Sequence, residues 1–292
     1  MNRIRVLRPG FQSTVQDLGR FGYAHQGISA SGAADALSLR VANLLVGNEE
    51  GAPAIEMTLT GGVFEFESRA VVALAGSEFG GTLPLWTATE LEGGSVVQWG
   101  PSRSGARCYL AVRGGIAVPK VLGSSSTHLL TGIGGRALRA GDVLPVGEDI
   151  RSTPIHGTHP PPHAAGALRV TAGPQADWFS GELYRGAYQV TEESNRMGLR
   201  LRGPAIPSPK GHMLTEGVAL GAVQVPPAGQ PIILFVEHQT TGGYPKPANV
   251  ISADFTRLGQ LRPRDSVAFE HVTMEQALHL LREQEDWLRS LV

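Results

Sequence analysis

No apolar run in this chain is long, and glycine or proline closes almost every one. The 292 residues include 38 glycines and 20 prolines. Glycine reaches the left-handed backbone region that tight turns need, and proline interrupts helices and central strands. Short apolar runs with this punctuation predict many short strands joined by tight turns. The hydrophobic fraction of 41% and charged fraction of 17% support a sizeable core and argue against wholesale disorder. The expected fold class is therefore mainly β.

Residues 148–167, EDIRSTPIHGTHPPPHAAGA, read as a proline-rich linker. They divide the chain into a first half, 1–147, and a second, 168–292. His156, His159 and His163 fall in this segment, where a flexible backbone would not hold metal ligands in fixed geometry. The halves look duplicated. VVQWGPSRSGARCYLAVRGG (96–115) and AVQVPPAGQPIILFVEHQTTGG (222–243) share Val-Gln, a turn, a buried strand and Gly-Gly. LRAGDVL (138–144) has a counterpart in LRPRDSV (261–267), and ALAGSEF (73–79) in VTAGPQA (170–176). Two β-rich subdomains are expected to superimpose, with Gly114-Gly115 falling near Gly242-Gly243.

Few helices are expected. SGAADALSLRVANLLVGN carries Leu37, Val41, Leu44 and Leu45 at helical spacing, with Gly47 placed to stop it. QADWFSGELYRG (175–186) is a shorter candidate. In 273–292, Thr273 and Gln276 are spaced as a capping box, and the apolar stripe predicts docking on the second subdomain.

A net charge of −1 with no basic block gives nothing that suits nucleic acid or an anionic membrane. The start, MNRIRVLRPG, has no apolar targeting region, so a cytoplasmic location is expected. The lone Cys108, in the strand-like RCYLAV, reads as a small core residue. Only three of 25 basic residues are lysines: Lys120, Lys210 and Lys246.

No GxxxxGK[ST], strand-linked GxGxxG, GxSxG, HxH or CxxC motif is present, and no Met-Lys pair marks a biotin attachment site. The chain lacks a self-sufficient engine, which suggests half of a composite active site. Four polar, glycine-punctuated segments remain. TVQDLGRFGY offers Gln16, Asp17, Arg20 and Tyr23; SASGAAD offers Ser29, Ser31 and Asp35; EESNRMGLRL offers Asn195 and Arg196. The last, HQTTGGYPK, follows the strand PIILFV and is too long and polar for a bare hairpin turn. Glycine amides there can donate to an oxyanion, and arginine clamps a carboxylate. Simpler uses exist for each: Asp17 with Arg20 as a structural pair, Ser31 as a helix cap, and Thr240 to Gly243 as turn residues.

These segments, with LAVRGGI, VLGSSST, GGRALRAGD, GAVQVPPAGQPIIL and VISADFTRLGQLRP, resemble the second subunit of the urea-amidolyase-related, biotin-dependent carboxyltransferase family. That family is also called allophanate hydrolase subunit 2 or KipA, and it includes the C subunit of bacterial 5-oxoprolinase. Its pattern has Asp-Arg before QTTGGYPK, where this chain has Glu237-His238. The resemblance implies two cyclophilin-like β-barrel subdomains with a few peripheral helices. It implies two partners, a KipI-like B subunit and an A subunit. It also implies ATP-dependent opening of the 5-oxoproline lactam to glutamate, with no ATP site recognisable in this chain. Two alternatives go with it. One is a KipA-like regulator that binds a KipI-like histidine-kinase inhibitor. The other is a carboxyltransferase, which would need a biotin carrier elsewhere.

For the lactam reaction the matching motifs suggest roles. Gly242, Gly243, Thr240, Thr241 and Lys246 suit a phosphate or oxyanion. Arg20 or Arg196 suits the substrate carboxylate, with Ser31 and Asp35 nearby. Asp17, Asp35 or Glu216 could serve as base, and Tyr244 could close over the ring. Lys246 is expected to contribute little to folding.

Overall fold

The structure is a computed structural model that describes residues 2–148, 157–161, 166–207 and 213–292. The chain divides into two compact units: Met1–Arg20, Ser31–Pro161 and Trp287–Val292 form the first, and Phe21–Ala30 with Pro162–Asp286 the second. The expected linker is partly built into the first unit. Gly157 bridges Thr87, and the Thr158 amide donates to the Trp86 carbonyl at 3.0 Å. His156 and His163 lie outside the described residues.

The first unit contains β1 (Arg3–Arg8), β2 (Gln12–Gln16), α1 (Ala36–Leu45), β3 (Ala54–Thr58), β4 (Val63–Phe66), β5 (Ala70–Gly76), β6 (Ala88–Leu91), β7 (Ser95–Gln98), β8 (Arg107–Val112) and β9 (Val143–Pro145). They form antiparallel sheets of order β7-β4-β1-β9 and β2-β3-β8-β5-β6. Strand alternation sorts large from small residues in the second sheet. Ile55, Met57, Val72, Leu74, Cys108, Leu110 and Val112 enter one core. Ala54, Ala73, Ala75, Tyr109 and Ala111 face Leu37, Val41, Leu44 and Leu45 in a second. The alanines leave room for α1 to lie close, and each leucine or valine it buries is worth about 1.5–3 kcal/mol. The cap of α1 is Asp35, not Ser31: its carboxylate accepts from the Ser38 amide at 3.1 Å and the Ser38 hydroxyl at 2.6 Å. Gly47, at φ 77°, closes the helix as its spacing predicts.

The second unit contains β10 (Leu168–Ala172), β11 (Tyr188–Val190), β12 (Gly198–Arg202), β13 (Glu216–Gly217), β14 (Ala222–Gln224), β15 (Ile232–Leu234), β16 (Thr241–Gly242), β17 (Ala248–Val250), α2 (Phe255–Gln260), β18 (Ser266–Val267), β19 (Phe269–His271) and most of α3 (Met274–Arg289). Eight strands run β18-β11-β12-β15-β14-β17-β10-β19, and β13 pairs β16 as a separate ribbon. The two edge strands are consecutive in sequence, separated only by Ala268, so the sheet curls into a nearly closed barrel. The candidate helix at 175–186 is two single 3₁₀ turns, Ala176–Trp178 and Glu182–Tyr184, parted by Gly181 at φ 82°. Thr273 and Gln276 form the expected capping box. Ala277 and Leu280 pack on Ile251, Ala253 and Val272, as the docking expectation requires. Leu288, however, is buried in the core of the first unit.

Four strands of each unit follow a common order, and the rest do not. β9-β1-β4-β7 and β18-β11-β12-β15 agree in both spatial and chain order; β3-β8-β5 and β14-β17-β10 do not, since β10 opens the second unit and β14 follows β12. The LRAGDVL and LRPRDSV turns are the same device. Asp142 accepts from the Arg139 amide and Asp265 from the Arg262 amide, both at 2.8 Å. Gly141 and Arg264 are both left-handed, and their amides donate to Val6 and Val190 at 2.8 Å. By that common order β7 corresponds to β15, one strand away from the expected alignment with β14. Gly114 and Gly115 are left-handed turn residues, whereas Gly242 is part of an extended ribbon strand. The shared Val-Gln and Gly-Gly therefore stand at different points of the two units.

Candidate functional site

The segment after β15 turns at Phe235–His238 and then feeds the ribbon. Gly242 opposes Glu216, Thr241 opposes Gly217, and the Val218 amide donates to the Thr240 carbonyl at 3.1 Å. Thr241 and Gly243 are exposed. Lys246 is not. Its Nζ lies 2.6 Å from Glu216 Oε1, and its side chain is 3% exposed. Gln175 completes the clamp, donating to Glu216 Oε1 at 3.0 Å and accepting from the Lys246 amide at 3.0 Å. The Lys246 ammonium, helped by Gln175, holds the Glu216 carboxyl below its ordinary value. Lys246 thus pins the ribbon from within, so the expectation that it matters little for folding is overturned by its burial. Glu216 is tied up as its partner.

Arg196 and Glu237 form a buried ion pair, Nε to Oε1 2.5 Å. His238, placed next, donates through Nδ1–H to the Gln239 carbonyl, 2.6 Å away. Burial pushes the imidazole down, against the raising effect of that hydrogen bond.

A cleft of about 340 Å³ opens beside this loop, lined by Asn195, Met197, Gly198, Arg200, Gln224, Pro226, Ile232, Leu234, Gln239 and Tyr244. Its floor is the outer face of β12-β15-β14. Leu199, Leu201, Val223 and Ile233 point to the core, so alternation turns their neighbours to the cleft. Register sets Arg200 opposite Ile232 and Ile232 opposite Gln224, one row across three strands. Gly198 keeps the floor low, since a Cβ there would sit 2.9 Å from Ile232 Cγ2. Gln224 is 2% exposed; its Oε1 accepts from Gln239 Nε2 at 3.3 Å, and its Nε2 has no partner among the described residues. No ion pair joins the Arg200 side chain to a described residue. Of the residues singled out in the sequence, Tyr244 and Asn195 line this cleft. Arg200, Gln224 and Gln239 were missed, although the alternation in GLRLR and AVQ carries the signal.

The first unit gathers Asp17, Arg20 and Ser31 around the VLGSSST loop. Asp17 accepts from Ser124 Oγ at 2.6 Å, Ser126 Oγ at 2.5 Å, the Ser125 amide at 2.6 Å and the Gly19 amide at 2.8 Å. Burial pushes this carboxyl up, but the hydrogen bonds outweigh it and the net shift is downward. A carboxylate so satisfied organises the loop and is a poor base. Arg20 donates to the Ser126 carbonyl, and Ser31 Oγ to the Thr127 carbonyl at 3.1 Å. Asp35 caps α1 and is fully buried. Asp17, Arg20 and Ser31 gather on this one buried loop of the first unit, and the residues lining the cleft all belong to the second. Cys108 is buried in β8, as expected, and burial raises its thiol.

Comparison with known proteins decides the family. The profile of the carboxyltransferase domain, subdomain A and B, matches residues 26–271. The chain belongs to the carboxyltransferase-domain family. Within that family it is 38% identical to the C subunit of 5-oxoprolinase from Escherichia coli, over 99% of this chain and 97% of that protein. It is 33% identical to the urea amidolyase of Saccharomyces cerevisiae over 99% of its length, which is 18% of the larger protein. The crystal structure of the Kluyveromyces lactis urea carboxylase superimposes with a TM-score of 0.90 at 29% identity, over 99% of this chain and 29% of that one. In this carboxyltransferase-domain chain the matched region contains the whole cleft and the Lys246 clamp. Among the described residues no helix is long and apolar enough to cross a membrane.

Proposed function

We propose that this chain is the C subunit of an ATP-dependent 5-oxoprolinase complex that opens 5-oxo-L-proline to L-glutamate. The carrying observation is the end-to-end match to the C subunit of the Escherichia coli 5-oxoprolinase, covering 97% of that relative against 18% of the yeast urea amidolyase. A lactam resists hydrolysis through amide resonance, and opening it needs charge stabilised at the carbonyl oxygen. The cleft supplies neutral amides from Asn195, Gln224 and Gln239, one guanidinium and an apolar floor. Such a lining binds and orients an amide, but the described residues that form it include no carboxylate, histidine or lysine to move a proton. They also make no cradle for a triphosphate. ATP and the base are assigned to partner chains, a KipI-like B subunit and an A subunit, in keeping with a composite site. Carboxyl transfer to an amide is the second reading, favoured by the TM-score of 0.90 with urea carboxylase.

The test is to purify the chain with the A and B subunits and measure ATP-dependent glutamate release from 5-oxo-L-proline. Turnover should require all three and vanish when any one is omitted. A stoichiometric complex that releases no glutamate would sink the reading.

A further inference from the structure

The Arg200–Ile232–Gln224 row carries more than a generic pocket. Cross-strand neighbours lie roughly 5 Å apart, so Arg200 and Gln224 start about 10 Å apart on one face. Both have long side chains, and Ile232 between them forms an apolar step. The guanidinium, with no ion pair among the described residues, is a bidentate donor fork suited to a carboxylate. The Gln224 amide is buried, and its orientation is set by Gln239 holding the oxygen, which leaves the Nε2 hydrogens as donors. A buried donor with no partner is a rarity that calls for an acceptor. A neutral donor of this kind suits a carbonyl oxygen. We infer that the cleft is a two-point receptor for a small carboxylic acid bearing an amide-type carbonyl. Arg200 takes the carboxylate, Gln224 donates to the carbonyl oxygen, and the ligand's apolar edge lies on Ile232. Gln239 acts as a positioning residue through Gln224. This rests on the proposed function and assigns that substrate its two contacts.

Three probes separate the contacts: 5-oxo-L-proline, 2-pyrrolidinone, which lacks the carboxylate, and L-proline, which lacks the ring carbonyl. Binding is measured by titration calorimetry on the full chain and on the assembled complex. The wild type should prefer 5-oxo-L-proline over both others by about ten-fold or more. Arg200→Gln should weaken 5-oxo-L-proline about ten-fold and leave 2-pyrrolidinone unchanged. Gln224→Met should weaken 5-oxo-L-proline and leave L-proline unchanged. Melting temperature is followed for each; Arg200 is exposed, so its variant tests the idea even if Gln224→Met fails to fold. The inference is overturned if neither chain nor complex binds 5-oxo-L-proline. It is equally overturned if Arg200→Gln alters both lactams alike or neither. Discrimination without turnover would keep the receptor and remove the reaction; turnover with unaltered discrimination in the variants would do the reverse.

Discussion

Arg196 and Arg200 stand close together in the sequence and have opposite uses. Arg196 is sealed against Glu237, with both side chains at most 5% exposed. Removing one member of a buried pair leaves the other charge uncompensated, at about 3–5 kcal/mol. Arg196→Ala should therefore lower the melting temperature sharply, and a stable but inactive variant would contradict this assignment. His238 gives a pH test. Its folded pKa is below the ordinary 6.5, so the unfolded chain binds more protons between the two values. Its share of stability is complete above about pH 7 and declines as pH falls, at no more than about 1.4 kcal/mol per pH unit. Melts across pH 5–8 should be flatter in His238→Gln than in the wild type. Neither role was legible in the sequence. A charge in a glycine-rich segment looks the same whether its partner is a ligand or a buried acid, and the partner of Arg196 is 41 residues away.

Elements were more readable where local chemistry decides them. The α1 stop at Gly47, the Thr273–Gln276 box and the buried strand at Cys108 all follow from spacing. The short α2 was missed because six residues carry too little periodicity, and 175–186 was over-read because Gly181 breaks what the apolar spacing suggests. The β13–β16 ribbon was invisible, since two residues of strand leave no pattern. It makes a sharp prediction about adjacent glycines. A Cβ at Gly242 would lie 2.6 Å from Gln224 Nε2, whereas one at Gly243 would meet nothing closer than 3.6 Å. Gly242→Ala should displace the Gln224 amide and reduce turnover of the assembled complex, while Gly243→Ala should stay near wild type. Equal effects would show that the ribbon does not set the cleft.

At the scale of the whole molecule, the mainly β architecture was legible in strand spacing, and the Arg-x-x-Asp turn that repeats in sequence repeats in the fold. The unit boundaries were not legible. Phe21–Ala30 is counted with the second unit and Trp287–Val292 with the first, and no composition shift marks either exchange. Deleting residues 287–292 should therefore destabilise the first unit, since Leu288 is 1% exposed within its core. Loss of a buried leucine is worth about 2–5 kcal/mol. Amide exchange in β3, β5 and β8 is the measurement, and unchanged protection there would refute the claim. Domains generally mature from the N-terminus as the ribosome delivers them. This chain departs from that order at one point: Leu288 joins the first core only after every strand of the second unit has been synthesised. Until then it is a nascent chain with an unfinished interior. A product stalled before that residue keeps a leucine-sized gap in its first core.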